Sequence, residues 1–346
     1  LFGVLYTNNM DLAGKYLEYK MALILFPVVF SFMPKNKLSL RIPALFMIAA
    51  TAIVSIIGLF SAVLLYNETG NVKSLLSTSV SFIHHPTYLS LYAAFCCAIL
   101  IYGLKSKWIY FTKRNVLFLF FFFFVAQILC VSLAGVLFIL SYIVYLTFST
   151  IKKRLSNPIF IAFVCATFLA LFSLVKFTPE IGDQIVNSLG YLTEYMEDPD
   201  EFIRSKQTYV GGSETRLILW TAAFKVVREN PFGVGTGNVD DSMTEMLNRI
   251  GQPNMAIRKL NPHNQYFQTA IEVGMVGLFF LLAIIFFGLY YAILNKNWLL
   301  LFILISLAFN CLFESILQRQ SGIVFYTFWI SLLLLIDVRN EKVIKE

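Results

Sequence analysis

The sequence predicts an all-α polytopic membrane protein. Of its 346 residues, 58% are hydrophobic and only 14% are charged, whereas a soluble domain has about a quarter charged residues. The mean hydropathy is +0.73, and the run Phe118–Phe124 leaves no aqueous face on a helix. A long polar segment at 178–263 interrupts the apolar runs. Because a structureless connection of this length is uncommon, we expect a folded helical loop outside the membrane.

Apolar stretches define the predicted transmembrane helices. A spanning helix needs about 17 to 25 apolar residues, and about nine stretches approach this length. They lie at 20–34, 43–66, 88–104, 116–131, 134–150, 158–177, 268–294, 298–313 and 322–337. Because the first residue is Leu1 rather than Met, we expect the sequence to lack one or more leading helices.

The basic residues orient these helices. Every second connection is basic, which is typical of cytoplasmic loops rather than of a nucleic-acid-binding face, despite the net charge of +7. The other connections are uncharged or acidic and are predicted to lie outside; they are 67–87, 178–263 and the turn from Glu314 to Gly322. The chain is thus predicted to consist of N-terminal transmembrane helices at 1–177, an extracytoplasmic loop domain at 178–263, and C-terminal transmembrane helices with a short cytoplasmic tail at 264–346.

Within the outer loop, Arg216 is the first functional candidate. Ser213 is predicted to cap a helix, which would put Arg216 in a first turn whose free N–H groups favour an anion. Arg216 is then either a phosphate or pyrophosphate ligand or a surface arginine paired with Glu214 or another acid. The string Gly233-x-Gly235-x-Gly237 follows this helix and lacks the Lys-Ser/Thr ending of a nucleotide loop, so it is predicted to be a helix-ending turn.

His263 is the second candidate, at the outer lip of the span 268–294. Asn261 is predicted to cap this helix, with Pro262 as its first residue and His263 in its first turn. Eleven residues make about three α-helical turns, so Gly274 would lie beneath His263, with Gly277 near the same face. A histidine that titrates near neutral pH can move protons. The alternatives are a polar residue at a helix interface and glycines that only admit a close neighbour.

Further polar residues lie at the ends of other spans. Glu314 and Arg319 end an apolar helix, where charged residues are costly and often functional, or they pair with one another. His85 lies at the start of the span 88–104, beside His84. All five cysteines fall in apolar stretches and are predicted to pack there rather than form disulfides. The spacing of histidines and acids predicts no metal site.

Taken together, these motifs resemble the O-antigen ligase and polymerase superfamily of bacterial membrane glycosyltransferases. The resemblance extends from Arg216 to Gly322. The matching residues are Arg216-x-x-x-Trp220-x-x-Ala223, Asn230-Pro231-x-Gly233-x-Gly235, His263-Asn264-x9-Gly274-x-x-Gly277, and Glu314 with Arg319 and Gly322, together with a weaker echo at His85-Pro86-Thr87-Tyr88.

The resemblance implies a GT-C-like helical bundle in the bacterial inner membrane with its active site facing the periplasm. It implies a metal-independent, inverting glycosyltransferase without a cofactor. The donor would be a glycan on undecaprenyl pyrophosphate, and the acceptor a hydroxyl of the lipid A core or of another glycan. His263 would serve the acceptor hydroxyl and Arg216 the donor pyrophosphate, while Asn264, Gly274, Gly277, Glu314 and His85 support the site.

This sequence departs from the family pattern at one place. Family members usually carry a Ser-Arg or Ser-Lys pair, whereas this chain has Ser132-Leu133. We therefore expect another cation to bind the donor, with Arg319 as the candidate. The motifs leave a ligase and a polymerase open. The alternative of another class is a lipid-glycan flippase or transporter. It would need charged residues within its spans, where Gln127 and Asn310 are the notable polar residues and neither ionises.

Overall fold

The computed structural model describes most of the chain and is helical throughout the described part. The described residues are 2–34, 38–81, 83, 85–106, 111–132, 165, 179–206 and 212–336. The predicted span 134–150, the span 158–177 apart from residue 165, Leu133 and His84 lie outside them. The all-α prediction is confirmed for the described residues, whereas the count of nine spans stays a prediction.

The helices are numbered in chain order. They are α1 (Met10–Lys20), α2 (Ala22–Phe32), α3 (Arg41–Thr69), α4 (Pro86–Ser106), α5 (Lys113–Leu129), α6 (Pro179–Glu197), α7 (Pro199–Ser205), α8 (Gly212–Glu229), α9 (Val239–Arg249), α10 (Pro253–Ala256), α11 (Gln265–Leu294), α12 (Trp298–Phe313) and α13 (Gln320–Leu335). Single 3₁₀ turns occur at Phe2–Val4, Val72–Leu75, Ser77–Ser79 and Ile316–Gln318.

Three of the described helices are long and apolar enough to cross a membrane. They are Arg41–Thr69, Pro86–Leu104 and Gln265–Leu294, while Trp298–Phe313 and Gln320–Leu335 are shorter apolar helices. The first predicted span, 20–34, corresponds to α2, which follows α1 directly. The helix is only 11 residues long and contains Pro27. The apolar helices support a membrane protein, as the composition predicts.

The chain divides into two compact units. The first comprises Leu1–Phe32, Asp183–Lys296 and Leu307–Ser331, and the second comprises Met33–Gly182, Asn297–Ser306 and Leu332–Glu346. In the second unit α4 packs between α3 and α5 and is buried over most of its length. Phe95 of α4 stacks on Phe302, and the Asn297 side chain donates to the carbonyl of Leu333 at 2.8 Å.

The segment 178–263, where it is described in the first unit, has its own hydrophobic core. One face of α8 is buried against α7, α9, α10 and the first turns of α11. The buried residues of this core are Phe202, Ile203, Ile218, Leu219, Ala222, Ala223, Val226, Val239, Met243, Met246, Leu247, Met255, Ala256 and Ile271. Burial of this much apolar surface is the main driving force for folding. The segment 178–263 is thus a folded helical module where it is described, and it holds α8 and α11 against each other.

Candidate active site

His263 lies just before α11 and not in its first turn. The N-cap is Asn264, whose side chain accepts from the Phe267 N–H at 3.1 Å, and the helix begins at Gln265. Asn261 instead accepts from the backbone N–H of His263 at 2.9 Å. His263 has a φ of +47°, which a helix would not allow. The prediction that Asn261 caps the helix is wrong because Asn264, an equally good capping residue, lies three positions later.

Four consecutive residues starting at His263 contact the C-terminal part of α12 or the segment that follows it. Asn264 donates to the carbonyl of Leu312 at 3.1 Å, and Gln265 accepts from the N–H of Leu317 at 2.7 Å. The Tyr266 hydroxyl donates to the carbonyl of Ala308 at 2.8 Å. The bond to Leu312 satisfies a carbonyl that the end of α12 leaves without a helical partner. These contacts also fix His263 opposite Glu314.

Glu314 lies between an imidazole and a guanidinium. His263 Nδ1 is 3.3 Å from one carboxylate oxygen, Oε2, and Arg216 Nη2 is 4.0 Å from the other, Oε1. The exposed fractions of the three side chains are 34% for His263, 29% for Arg216 and 20% for Glu314. The group is therefore open to a substrate while its members still face one another. We call these three residues the outer cluster.

Arg216 reaches this cluster from α8. The helix begins at Gly212, so Arg216 is its fifth residue. The prediction that it lies among the free N–H groups of the first turn is therefore wrong. Glu214 is buried beside it, and this burial raises the pKa of the Glu214 carboxyl, with Glu194 adding to the rise and Lys206 opposing it. The acid that Arg216 faces is Glu314, from the last outer turn.

A second charged group, which the sequence analysis missed, lies around Glu272 of α11. Lys20 Nζ is 2.5 and 2.6 Å from the two oxygens of the Glu272 carboxylate. Thr236 Oγ1 donates to it at 3.0 Å and Gln318 Nε2 at 2.9 Å. The carboxylate is only 5% exposed, and these four contacts match its four lone-pair sites. We call these four residues the inner cluster.

The inner cluster corrects one argument made from the sequence. Glu272 is an acidic residue within the predicted span 268–294, so Gln127 and Asn310 are not the only notable polar residues within the predicted spans. The sequence signal for this cluster is a single acid in a strongly apolar stretch, and such a signal is easily overlooked. Because Lys20 neutralises Glu272, the pair has the form of a structural ion pair rather than of an open charged pathway.

Gly274 breaks α11 immediately after the inner cluster. Its φ of 79° and ψ of −175° are non-helical, and a Cβ at this position would overlap the backbone of Phe232. The loop around Gly233 approaches so closely that Val234 N–H donates to Ile271 at 2.7 Å and Met275 N–H donates to Pro231 at 2.9 Å. The prediction that Gly274 continues a regular stripe beneath His263 is wrong. The glycine lets a loop from far along the chain approach the helix.

The loop 233–237 does follow the end of α8, as predicted, and the N-terminal segment covers it. Thr236 N–H donates to the carbonyl of Gly3 at 2.8 Å, and Thr7 Oγ1 donates to Asn238 at 3.2 Å. Further along, the Tyr16 hydroxyl donates to Asp240 at 3.3 Å. Burial and the nearby Asp240 carboxylate raise the pKa of Tyr16 to about 12. Residues 2–20 thus fix the loop that in turn supports the break in α11.

The remaining predicted site residues are not brought to the outer cluster by any described contact. Arg319 is exposed and, within the described ranges, makes no ion pair; Glu314 faces Arg216 and His263 instead. His85 belongs to the second unit, where its Nδ1 lies 3.1 Å from Thr87 Oγ1 at the start of α4. Gly277 is in regular helix beyond the break. In the described part of the chain, no three His, Cys, Asp or Glu side chains are placed to hold a metal.

Comparison with known proteins gives a family match over part of the chain. The sequence profile of the O-antigen ligase family matches residues 117–282, which include Arg216, His263, Asn264, Gly274 and Gly277 but not His85, Glu314 or Arg319. No curated protein matches the chain. Members of the family are glycosyltransferase-like ligases that act on lipid-linked glycans. The chain therefore carries an O-antigen ligase domain over residues 117–282, which confirms the resemblance that its motifs indicate.

Proposed function

We propose that this protein is an O-antigen ligase that transfers a glycan from undecaprenyl pyrophosphate to a hydroxyl of the lipid A core. The reaction takes place at the periplasmic face of the bacterial inner membrane. The donor and acceptor bind at the outer loop domain, 178–263, between the N-terminal transmembrane helices at 1–177 and the C-terminal ones at 264–346. The observation that carries this proposal is the outer cluster, which combines a proton acceptor, a cation and an acid at an exposed position.

His263 acts as the general base. Its Nδ1 faces Glu314 at 3.3 Å, so the other ring nitrogen, Nε2, is the one that meets the acceptor. A carboxylate on one nitrogen fixes the ring and stabilises the imidazolium that forms when the other accepts a proton. The acceptor oxygen attacks the anomeric carbon of the donor as its proton passes to Nε2. The bond from that carbon to the pyrophosphate oxygen breaks, so the configuration inverts.

Arg216 stabilises the departing pyrophosphate. A guanidinium binds phosphate oxygens in a two-pronged geometry, and fixed positive charge lowers the barrier where negative charge develops. This form of stabilisation requires neither a metal nor a cofactor. Arg319 is the second proposed cation because it is exposed on the same outer turn as Glu314. Asn264, Gly274, Gly277 and His85 are proposed as supporting residues, the first two through the contacts that fix the start and the break of α11.

The break in α11 supports an outer location for the site. From Met275 to Leu294 the helix is about 30 Å long, from about 1.5 Å per residue, which equals the thickness of a bilayer's hydrocarbon core. Gly274 would then lie at the outer boundary, with α11 residues 265–273 and His263 above it. The polyprenyl tail of the donor stays among membrane lipids, while its pyrophosphate reaches the polar region. The chain has no proposed nucleic-acid partner.

The main alternative is an O-antigen polymerase, which uses the same donor but another lipid-linked glycan as acceptor. Deletion of the gene separates the two activities. Loss of a ligase leaves long polymer on the lipid carrier, whereas loss of a polymerase leaves a single repeat unit on the core. An unchanged glycan pattern would count against both. A flippase, the alternative of another class, would show no transfer by the purified protein.

The direct test is transfer in vitro by the purified full chain. Undecaprenyl-pyrophosphate glycan is mixed with lipid A core in detergent, with and without a chelator, and the product is resolved by gel. We expect core-linked glycan in both reactions. Product formed only when a lipid-linked glycan replaces the core would favour the polymerase. Loss of product with the chelator would exclude the metal-independent mechanism.

A further inference from the structure

The two contacts of Glu314 in the outer cluster differ in strength. His263 Nδ1 lies 3.3 Å from Oε2, close to hydrogen-bonding distance, whereas Arg216 Nη2 lies 4.0 Å from Oε1 and forms no hydrogen bond to it. An N–H···O hydrogen bond typically spans about 2.7 to 3.2 Å. The guanidinium is therefore held near the carboxylate by charge alone. It is also 29% exposed, so a stronger anion can reach it.

We propose that Glu314 competes with the donor pyrophosphate for Arg216 and thereby couples donor binding to activation of His263. This inference rests on the proposed function. In the free enzyme the Glu314 charge is shared between Arg216 and His263. A pyrophosphate, with more charge and more acceptor oxygens than one carboxylate, takes Arg216 to itself. Glu314 then acts more strongly on His263.

Once Arg216 interacts with the pyrophosphate rather than with Glu314, the imidazole of His263 becomes a better base. A carboxylate beside a histidine favours its protonated form, and a cation beside that carboxylate weakens the effect. Donor binding would remove this weakening without moving His263, whose backbone is fixed by Asn261 and by the α11 cap. The acceptor hydroxyl is then activated most strongly when the leaving group is in place. Glu314 is a positioning residue in this scheme, because it acts through Arg216 and His263.

The competition predicts opposite effects of one substitution on binding and on turnover. Glu314→Gln keeps the side-chain shape but removes the charge. Undecaprenyl pyrophosphate should then bind about threefold to tenfold more tightly, because Arg216 is no longer attracted to a carboxylate, while kcat for glycan transfer falls about tenfold or more. A merely structural role for Glu314 would weaken binding and turnover together.

A double mutant isolates the step. Arg216→Ala should weaken binding, and adding Glu314→Gln to it should give no gain, because the competition requires the guanidinium. Glu229→Gln is the matched control, since Glu229 pairs with Arg249 at 2.9 Å on an exposed surface; it should change neither value. Binding of undecaprenyl pyrophosphate in detergent and transfer by the full chain are measured for each variant, with size-exclusion profiles as the check on folding.

The outcomes separate this inference from the proposed function. If the wild-type chain binds undecaprenyl pyrophosphate and transfers glycan, but folded Glu314→Gln binds it no more tightly, the competition is refuted and the ligase proposal stands. If the wild type neither binds nor transfers, the ligase proposal fails. If Glu314→Gln does not fold, Glu314→Asp replaces it. Its shorter carboxylate withdraws from Arg216 and should also tighten binding, and equal or weaker binding by that variant refutes the competition.

Discussion

The two clusters use the same residue type in opposite ways. In the outer cluster, Glu314 is 20% exposed and its two neighbours, His263 and Arg216, lie at 3.3 and 4.0 Å. In the inner cluster, Glu272 is 5% exposed and Lys20 lies at 2.5 Å, with Thr236 and Gln318 on the remaining sites. Residues 314–318 connect the two. A loosely held carboxylate can change partners during a reaction, whereas a saturated one keeps two segments together.

The largest effect on transfer is expected from His263→Ala in the outer cluster. We expect a loss of transfer of about a hundredfold or more, because His263 is the proposed general base for the acceptor hydroxyl. The variant should remain in the membrane with unchanged thermal stability, since His263 is outside the α11 hydrogen bonds. Transfer assays and thermal unfolding of the same preparation check both parts. Full retained activity would remove His263 from the mechanism.

Glu272→Gln in the inner cluster should, unlike His263→Ala, cause a large loss of stability. It leaves the Lys20 charge without its partner, and breaking a buried pair costs about 3 to 5 kcal/mol. Because the Lys20 side chain is 21% exposed, the lower end is expected. Glu314→Gln, in the exposed cluster, should cost at most about 1 kcal/mol.

The double variant Lys20→Met with Glu272→Gln tests whether the inner pair is the cause. Removing both charges should recover much of the stability that Glu272→Gln loses, because no buried charge is left unpaired. Unfolding in detergent, followed by tryptophan fluorescence, compares the wild type, Glu272→Gln, Glu314→Gln and the double variant. Equal stability of Glu272→Gln and the wild type would show that the two clusters do not differ as described.

Gly274→Ala tests the break that separates the inner cluster from the rest of α11. The positive φ and the overlap with Phe232 should together cost about 2 to 3 kcal/mol. Gly190→Ala is the matched control, because Gly190 lies in α6 with nothing near its added Cβ. That variant should gain about 0.5 to 1 kcal/mol from better helix propensity. A destabilisation no larger than about 1 kcal/mol for Gly274→Ala would mean that the break is not required.

Tyr16→Phe should give the smallest effect, about 1 kcal/mol at neutral pH, by removing the hydroxyl that donates to Asp240. Burial raises the pKa of Asp240, and the Tyr16 hydroxyl opposes that rise, so the variant raises it further. The loss of stability should therefore be full above the Asp240 pKa and disappear as the pH falls through it. Thermal unfolding at pH 4 and pH 7 measures the difference, and an equal loss at both values would contradict the assignment.

The sequence revealed more of the outer cluster than of the structure around it. Arg216, His263 and Glu314 were all identified from their residue types and their places at the ends of predicted helices. The start of α11 was misplaced because Asn261 and Asn264 are both capping residues, and only the tertiary contacts with Leu312 and Leu317 favour the second. Propensity is a weak guide where neighbouring positions compete.

The inner cluster and the break were not predicted for a different reason. Gly274 leaves the helix because the backbone of Phe232 packs against it, and periodicity within one segment carries no information about such a neighbour. Glu272 finds Lys20, 252 residues away in the chain. Hydropathy averaged over a span hides a single acid, and no local pattern indicates which distant cation will pair with it.

The distance in sequence between Lys20 and Glu272 bears on how the protein is assembled during synthesis. At about 5 to 20 residues per second, a ribosome needs more than ten seconds to proceed from one to the other. Throughout that interval the ammonium of Lys20 lacks its partner, and its charge favours contact with water or lipid head groups. Docking of α1 is therefore a late event, because the first turns of α11 must be made before Lys20 and Glu272 can pair. The ion pair then joins α1 to α11 within the first unit.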